Sequence, residues 1–236
     1  MTSPLQRTRL EKAAADCGFE LSPTWSGDVL TMRSARFPES VQVTLLPDDT
    51  FALEPSLAVM LPPDQPAITV GWAALYELLD TASARAHTLP NRVAQRFQVE
   101  TAKLPKSTEA ERMVVQRVGQ NLFRDALLSY WQGRCCVTGL DVPSLLRASH
   151  IRPWAQCESD EQRLDVFNGL LLAPHLDALF DDGWVTFADD GHLIASSALP
   201  QSAKDILGIS VTQKIAGISA GHLAYMSHHR GKVFRE

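Results

Sequence analysis

Four short stretches between Arg134 and Gly183 concentrate the residues able to do acid–base and metal chemistry. They are Arg134-Cys135-Cys136-Val137-Thr138-Gly139, Ala148-Ser149-His150-Ile151-Arg152-Pro153-Trp154, Asn168-Gly169-Leu170-Leu171-Leu172, and His175-Leu176-Asp177-Ala178-Leu179-Phe180-Asp181-Asp182-Gly183. A histidine near its intrinsic pKa of about 6.5 can accept a proton at neutral pH, which makes His150 a candidate general base. Histidine and aspartate together ligate hard or borderline cations such as Mg²⁺, Mn²⁺, Ni²⁺ or Zn²⁺, and His175 with Asp177 fit that role. The four cysteines, Cys17, Cys135, Cys136 and Cys157, include no CxxC pair. No structural zinc is therefore expected, and Cys135 and Cys136 are expected as small buried apolar groups.

Taken in this order and spacing, the four stretches resemble an HNH endonuclease of the ββα-metal kind, in a branch whose pattern runs CxxTG, SHIxPW, NGLxL, FDxG. The resemblance covers about residues 109–199. It implies hydrolysis of DNA phosphodiester bonds with one divalent ion. His150 would be the base, Asn168 would hold it in position, and Arg152 would grip the scissile phosphate. His175 and Asp177 stand seven and nine residues after Asn168, the reverse of the order in many relatives. Either both reach one ion in swapped order, or only one of them ligates. Ser149 stands where many relatives have an acidic ligand, which makes Asp177 more needed.

The elements that must position these groups are legible in part. Ser3-Pro4-Leu5-Gln6 has the layout of a capped helix start, and a helix to about Cys17 follows. Short β-rich runs at Val29–Met32, Val41–Leu46 and Phe51–Leu53 are separated by turn residues, and helical spacing sets in from Thr69 to Leu79 and within Asn91–Glu100. Thr101–Thr108 is polar, contains Pro105 and lacks periodicity, so the boundary is placed there, with a small α+β module over 1–105 and the nuclease-like domain over 106–236. Thr108 with Glu111 forms a second capping box. Its helix carries Val114, Val118, Leu122, Phe123 and Leu127 as an apolar stripe, with Arg112, Arg117 and Arg124 on other faces as solvated or phosphate-contacting cations. Beyond Gly183, Trp184–Phe187 and His192–Ala195 have the pattern of a hairpin. The basic tail places His228, His229 and Arg230 as solvent-exposed or phosphate-contacting groups.

The whole is an α+β fold class, a small module followed by a ββα unit with flanking helices. The 236 residues carry a net charge of -5, so no bulk positive field marks a polyanion partner. The division gives 9 basic against 12 acidic residues in 1–105 and 13 against 15 in 106–236, so neither part is basic. Composition excludes collagen-like, disordered and membrane-spanning classes, and the expected location is the cytoplasm. A ββα site reads few bases, so target choice falls to the N-terminal module, an arrangement that resembles McrA-like modification-dependent restriction endonucleases. Trp25, Phe37, Phe51, Trp72 and Tyr76, near Arg33 and Arg36, are aromatic core residues or a stacking pocket for a flipped base. The partner expected is double-stranded DNA, plain or modified, and a two-strand cut would use a homodimer. The competing expectation is a decayed nuclease that only binds DNA or protein; a delivered toxin fits less well.

Overall fold

A computed structural model describes residues 3–65, 67–89, 92–105 and 107–236. Asn91, where the third expected helix was to begin, and Lys106, in the expected linker, lie outside them, as do Met1, Thr2, Pro66 and Pro90. The chain forms two compact units, Met1–His87 and Thr88–Glu236.

The first unit opens with α1 (Pro4–Asp16), whose Ser3 hydroxyl and Gln6 side chain close a reciprocal capping box. Five strands follow: β1 (Leu21–Ser26), β2 (Val29–Arg33), β3 (Ser40–Leu46), β4 (Thr50–Pro55) and β5 (Ile68–Val70). They pair antiparallel in chain order. Cross-strand register aligns Leu30 with Val43 and Val43 with Leu53, one buried row on one sheet face. That row shares a core with Leu10, Ala13 and Ala14 of α1 and Leu75, Leu79 and Ala82 of α2 (Trp72–Thr88). Thr69 therefore belongs to a strand and the helix starts at Trp72, later than the spacing suggests. Phe37 and Phe51 are core, while Trp25, Trp72 and Tyr76 pack against it half-buried. The Trp25 indole N–H is bonded to Glu11, and Phe51 meets Trp72 edge-on, so these aromatics build packing rather than an open stacking pocket.

The second unit starts with α3 (Arg92–Thr101), which packs on α4 (Glu109–Tyr130). The compact units thus divide at His87, ahead of the polar stretch 101–108, which connects two helices of the same unit. Thr108 and Glu111 form the second capping box of the chain as the sequence suggests. The buried face of α4 is Gly119, Leu122, Phe123, Ala126, Leu127 and Tyr130, whereas Val114 stays 54% exposed, so its apolar stripe begins a turn later than expected. Beneath α4 lies a hairpin-like pair, β6 (Arg147–His150) against β7 (Gly169–Leu172), antiparallel with His150 opposite Gly169. Between the two strands the chain makes the short helix α5 (Asp160–Arg163). After β7 the chain enters α6 (Pro174–Asp181) with Pro at its first turn, completing a ββα unit. The expected hairpin forms as β8 (Val185–Phe187) with β9 (Leu193–Ala195). Then α7 (Gln201–Ile206) and α8 (Ala220–Lys232) close the unit. Mixed helices and sheets make this an α+β fold. Among the described residues no helix is long and apolar enough to cross a membrane.

Candidate functional site

His150 ends β6 and is fixed on three sides. Its Nε2 lies 2.8 Å from the Arg163 carbonyl oxygen, so the ring donates from Nε2 and keeps its lone pair on Nδ1. The Phe123 ring stacks on it at 3.9 Å with planes 16° apart, and Trp154 meets it edge-on at 5.4 Å. Burial pushes its pKa down to about 4, opposed by the Arg163 carbonyl. The solvated value of 6.5 assumed from sequence is thus corrected: packing between two aromatic rings removes the water that would stabilise imidazolium.

The Phe123 stack depends on a missing side chain. Gly169 lies opposite His150, and a Cβ there would sit 2.6 Å from Phe123 Cζ and 2.7 Å from a Leu127 methyl, both buried. Its backbone is ordinary extended chain, so the requirement is steric. Gly169→Ala is expected to cost about 1–3 kcal/mol by overpacking and to slow any reaction using His150 without altering affinity for the substrate. Thermal unfolding and kcat measured together check this.

Asn168 is fully buried and binds the loop that returns from β6. Its Oδ1 accepts from the Arg152 N–H at 2.7 Å, and its Nδ2 donates to the Arg152 and Gln162 carbonyls at 3.2 and 3.0 Å. The Arg163 guanidinium laces the same loop through the Cys157 and Trp154 carbonyls and Asp160. These two side chains hold the carbonyl of Arg163 against His150.

Ser149 alternates with His150 along β6 and faces α6. Its hydroxyl donates to Asp181 Oδ1 at 3.0 Å. Asp177 and Asp181 stand one turn apart on α6 and share a face. Burial raises the pKa of both carboxyls; the charge of Asp177 raises Asp181 further, and Arg147 draws Asp177 back down. His175 precedes Asp177 by two residues, which places it on the far side of the helix. Asp177 therefore shares its helix face with Asp181. Among the described residues no group of three or more His, Cys, Asp or Glu side chains converges as a metal site.

A cleft of about 350 Å³ is lined by Ala148, His150, Ile151, Trp154, Asp181 and His229, among others. The arginines expected to grip substrate are engaged elsewhere. Arg152 bonds Glu158 at 2.9 Å with only 22% of its side chain exposed, and lies outside this cleft. Arg230 spends its guanidinium on the Phe187 carbonyl and Asp189, tying α8 to the end of β8. His229 is buried, stacked on Phe180 at 3.8 Å and bonded to Thr186 and the Phe180 carbonyl; His228 meets Gln156. Arg124 donates to the Leu146 and Pro143 carbonyls as a brace. Arginine satisfies carbonyls wherever a loop leaves them bare, and no local pattern announces that.

From sequence Asp181 entered only as part of the FDxG pattern and Phe123 only as part of an apolar stripe, and Arg147 was not named. The i, i+4 spacing of Asp177 and Asp181 and the alternation of Arg147 with Ser149 were available signals; the Phe123 stack was not. Cys135 and Cys136 are buried, and the Cys135 sulfur also accepts the Thr138 and Ala173 N–H groups, joining a turn to the start of α6.

A strand pair followed by a helix, with a packed histidine at the strand end and two carboxylates on the helix, forms a ββα unit. Residues 135–188 match the model of a family described as HNH endonuclease. This stretch is thus similar to HNH endonucleases, and the match supports a nuclease acting on DNA. The chain matches no curated protein.

Proposed function

We propose that the chain is a divalent-metal-dependent endonuclease hydrolysing DNA phosphodiester bonds, with His150 as general base. The observation that carries this is the orientation of His150: Nε2–H is committed to the Arg163 carbonyl, which leaves Nδ1 free to take a proton from water in a cleft shared with Asp181. Asn168 and Arg163 position the imidazole and touch no reacting atom.

Asp177 and Asp181 fit a hard cation in part. Two partly buried carboxylates of raised proton affinity, that of Asp181 raised further by the charge of Asp177, are relieved by a divalent ion, and their oxygen donors suit Mg²⁺ or Mn²⁺, which keep several waters. Such an ion, when bound, would neutralise charge on the phosphate and leaving oxygen. Ser149 orients Asp181 for that contact, and exposed Arg147 beside Asp177 is better placed than Arg152 to meet a phosphate.

We assign the enzyme a host-defence restriction role, in which the first unit selects plain or modified target DNA, acting as a homodimer in the cytoplasm. The support is general: a ββα site reads few bases, and two nicks need two sites. The second reading is a decayed nuclease that binds DNA without cutting, favoured by Ser149 and by the two-carboxylate set. One experiment separates them. Plasmid DNAs, unmodified, cytosine- or adenine-methylated, or phosphorothioated, are incubated with the protein and Mg²⁺, Mn²⁺, Ni²⁺ or Zn²⁺, with a chelator control. Metal-dependent nicking is expected, with Asp181→Asn raising the metal concentration for half-maximal cleavage at least about tenfold. Retarded but intact DNA under every metal would favour the decayed reading.

A further inference from the structure

His150, Ala148 and Trp154 also border a second cleft, of about 290 Å³, on the α4 side. Its other walls are Arg117, Gln120, Asn121, Phe123 and Arg124. Arg117, Gln120, Asn121 and Arg124 follow the i, i+3, i+4, i+7 spacing of one helix stripe, distinct from the buried stripe of α4. The two clefts differ in charge. The first contains the Asp181 carboxylate, whereas the second is lined by two guanidinium groups and two amides with no carboxylate. Arg124 is braced against two carbonyls and contributes fixed charge. Arg117, Gln120 and Asn121 are exposed.

The rim between the clefts is built into the fold. A Cβ at Gly119 would lie 3.0 Å from the Trp154 indole, so glycine in mid-helix lets the ring settle onto the α4 backbone. Trp154 then stands edge-on to His150 and faces both clefts. A cation-binding carboxylate on one side of the base and an anion-binding surface on the other is the charge order a polyanionic strand requires.

We propose that the α4 stripe Arg117–Gln120–Asn121 is a phosphodiester track, which holds the DNA backbone flanking the phosphate that faces His150. The inference rests on the nuclease reading for its substrate, and it accounts for how a chain of net charge -5 holds DNA: the contact is local. Arginine supplies a forked donor to phosphate oxygens, and the amides add neutral donors at helical spacing.

The test is binding of a fluorescein-labelled DNA duplex by the full chain, followed by anisotropy between 50 and 200 mM salt, alongside cleavage kinetics. Arg117→Gln is expected to weaken binding about tenfold and to lower the slope of log affinity against log salt by about one. Asn121→Ala should weaken binding less and leave the slope unchanged. In cleavage, Arg117→Gln should raise KM more than it lowers kcat. Since these side chains are exposed, unfolding midpoints should match the unsubstituted protein. Unchanged affinity and slope in Arg117→Gln, with cleavage intact, would overturn the track and leave the nuclease standing. Binding that depends on Arg117 without any cleavage would sustain the track and overturn the nuclease.

Discussion

His150→Ala is expected to slow DNA cleavage at neutral pH by about 10²–10⁴-fold, the usual contribution of a positioned general base, while DNA binding persists and the protein still unfolds cooperatively. The substitution leaves the backbone pairing of β6 with β7 in place, residue 150 still opposite Gly169. Undiminished cleavage by the variant would remove His150 from the reaction.

The pH dependence sharpens the same prediction. Burial holds the imidazole near 4, so it is neutral and able to accept a proton throughout pH 5–8. The acid limb of kcat/KM is therefore expected well below 6.5, overlapping the raised carboxyls of Asp177 and Asp181. Once a phosphodiester anion lies beside the ring, imidazolium is favoured, so the acid limb of kcat should sit at higher pH than that of kcat/KM. Stability carries a related signature. The unfolded chain takes up a proton on His150 and His229 below about 6.5 that the folded chain refuses until near 4, so both groups lower stability as pH falls through that window. The raised carboxyls of Asp177 and Asp181 act with the opposite sign. A kcat/KM profile breaking at 6.5 would mean a solvated imidazole and would contradict the Phe123 stack.

How much of this was legible depended on the range of the interactions. The two capping boxes, the hairpin after Gly183 and the β6–β7–α6 order follow from local rules, because each needs residues within a few positions of one another. The late start of α2 was hidden because Ile68–Val70 is short and apolar, and such a run fits either state until a neighbouring strand claims it. At the site, His150 and Asn168 were visible by type and place, but their environment was not. The ring that depresses the His150 pKa comes from Phe123, and the carbonyl that sets its tautomer comes from Arg163. Arg152 was chosen for charge next to the base and Arg230 for the basic tail, yet charge alone does not say that Glu158, Asp189 and a bare carbonyl would take the guanidinium groups first. Counting from Asn168 paired His175 with Asp177; the periodicity of α6 adds Asp181 on the face of Asp177.

Asn168→Ala is expected to cost about 3–5 kcal/mol, enough to lower the unfolding midpoint substantially, and to reduce cleavage in the fraction that remains folded. The side chain is fully buried, accepts from one N–H and donates to two carbonyls of the loop after β6, besides touching the Cys157 sulfur. Removing it leaves the Arg152 N–H and the Gln162 carbonyl without that partner, while the Arg152 carbonyl keeps only the weak Cys157 thiol at 3.5 Å. The Gln162 carbonyl is one residue from the Arg163 carbonyl that fixes His150, so loosening the loop frees the imidazole to rotate and lose its Nε2–H contact. Asn168→Asp separates shape from hydrogen bonding. It keeps the acceptor for Arg152 but turns two donations into repulsion between a buried carboxylate and two carbonyls, so it should destabilise at least as much as alanine at neutral pH. Lowering the pH protonates that carboxyl and restores one donor, so the gap between Asn168→Asp and the unsubstituted chain should narrow in acid, whereas the gap for Asn168→Ala should not. Denaturant unfolding of the three proteins at pH 7.5 and 5 measures this. Equal stability of Asn168→Ala and the unsubstituted chain would mean that the loop is held by Arg163 alone, and that Asn168 does not position the base.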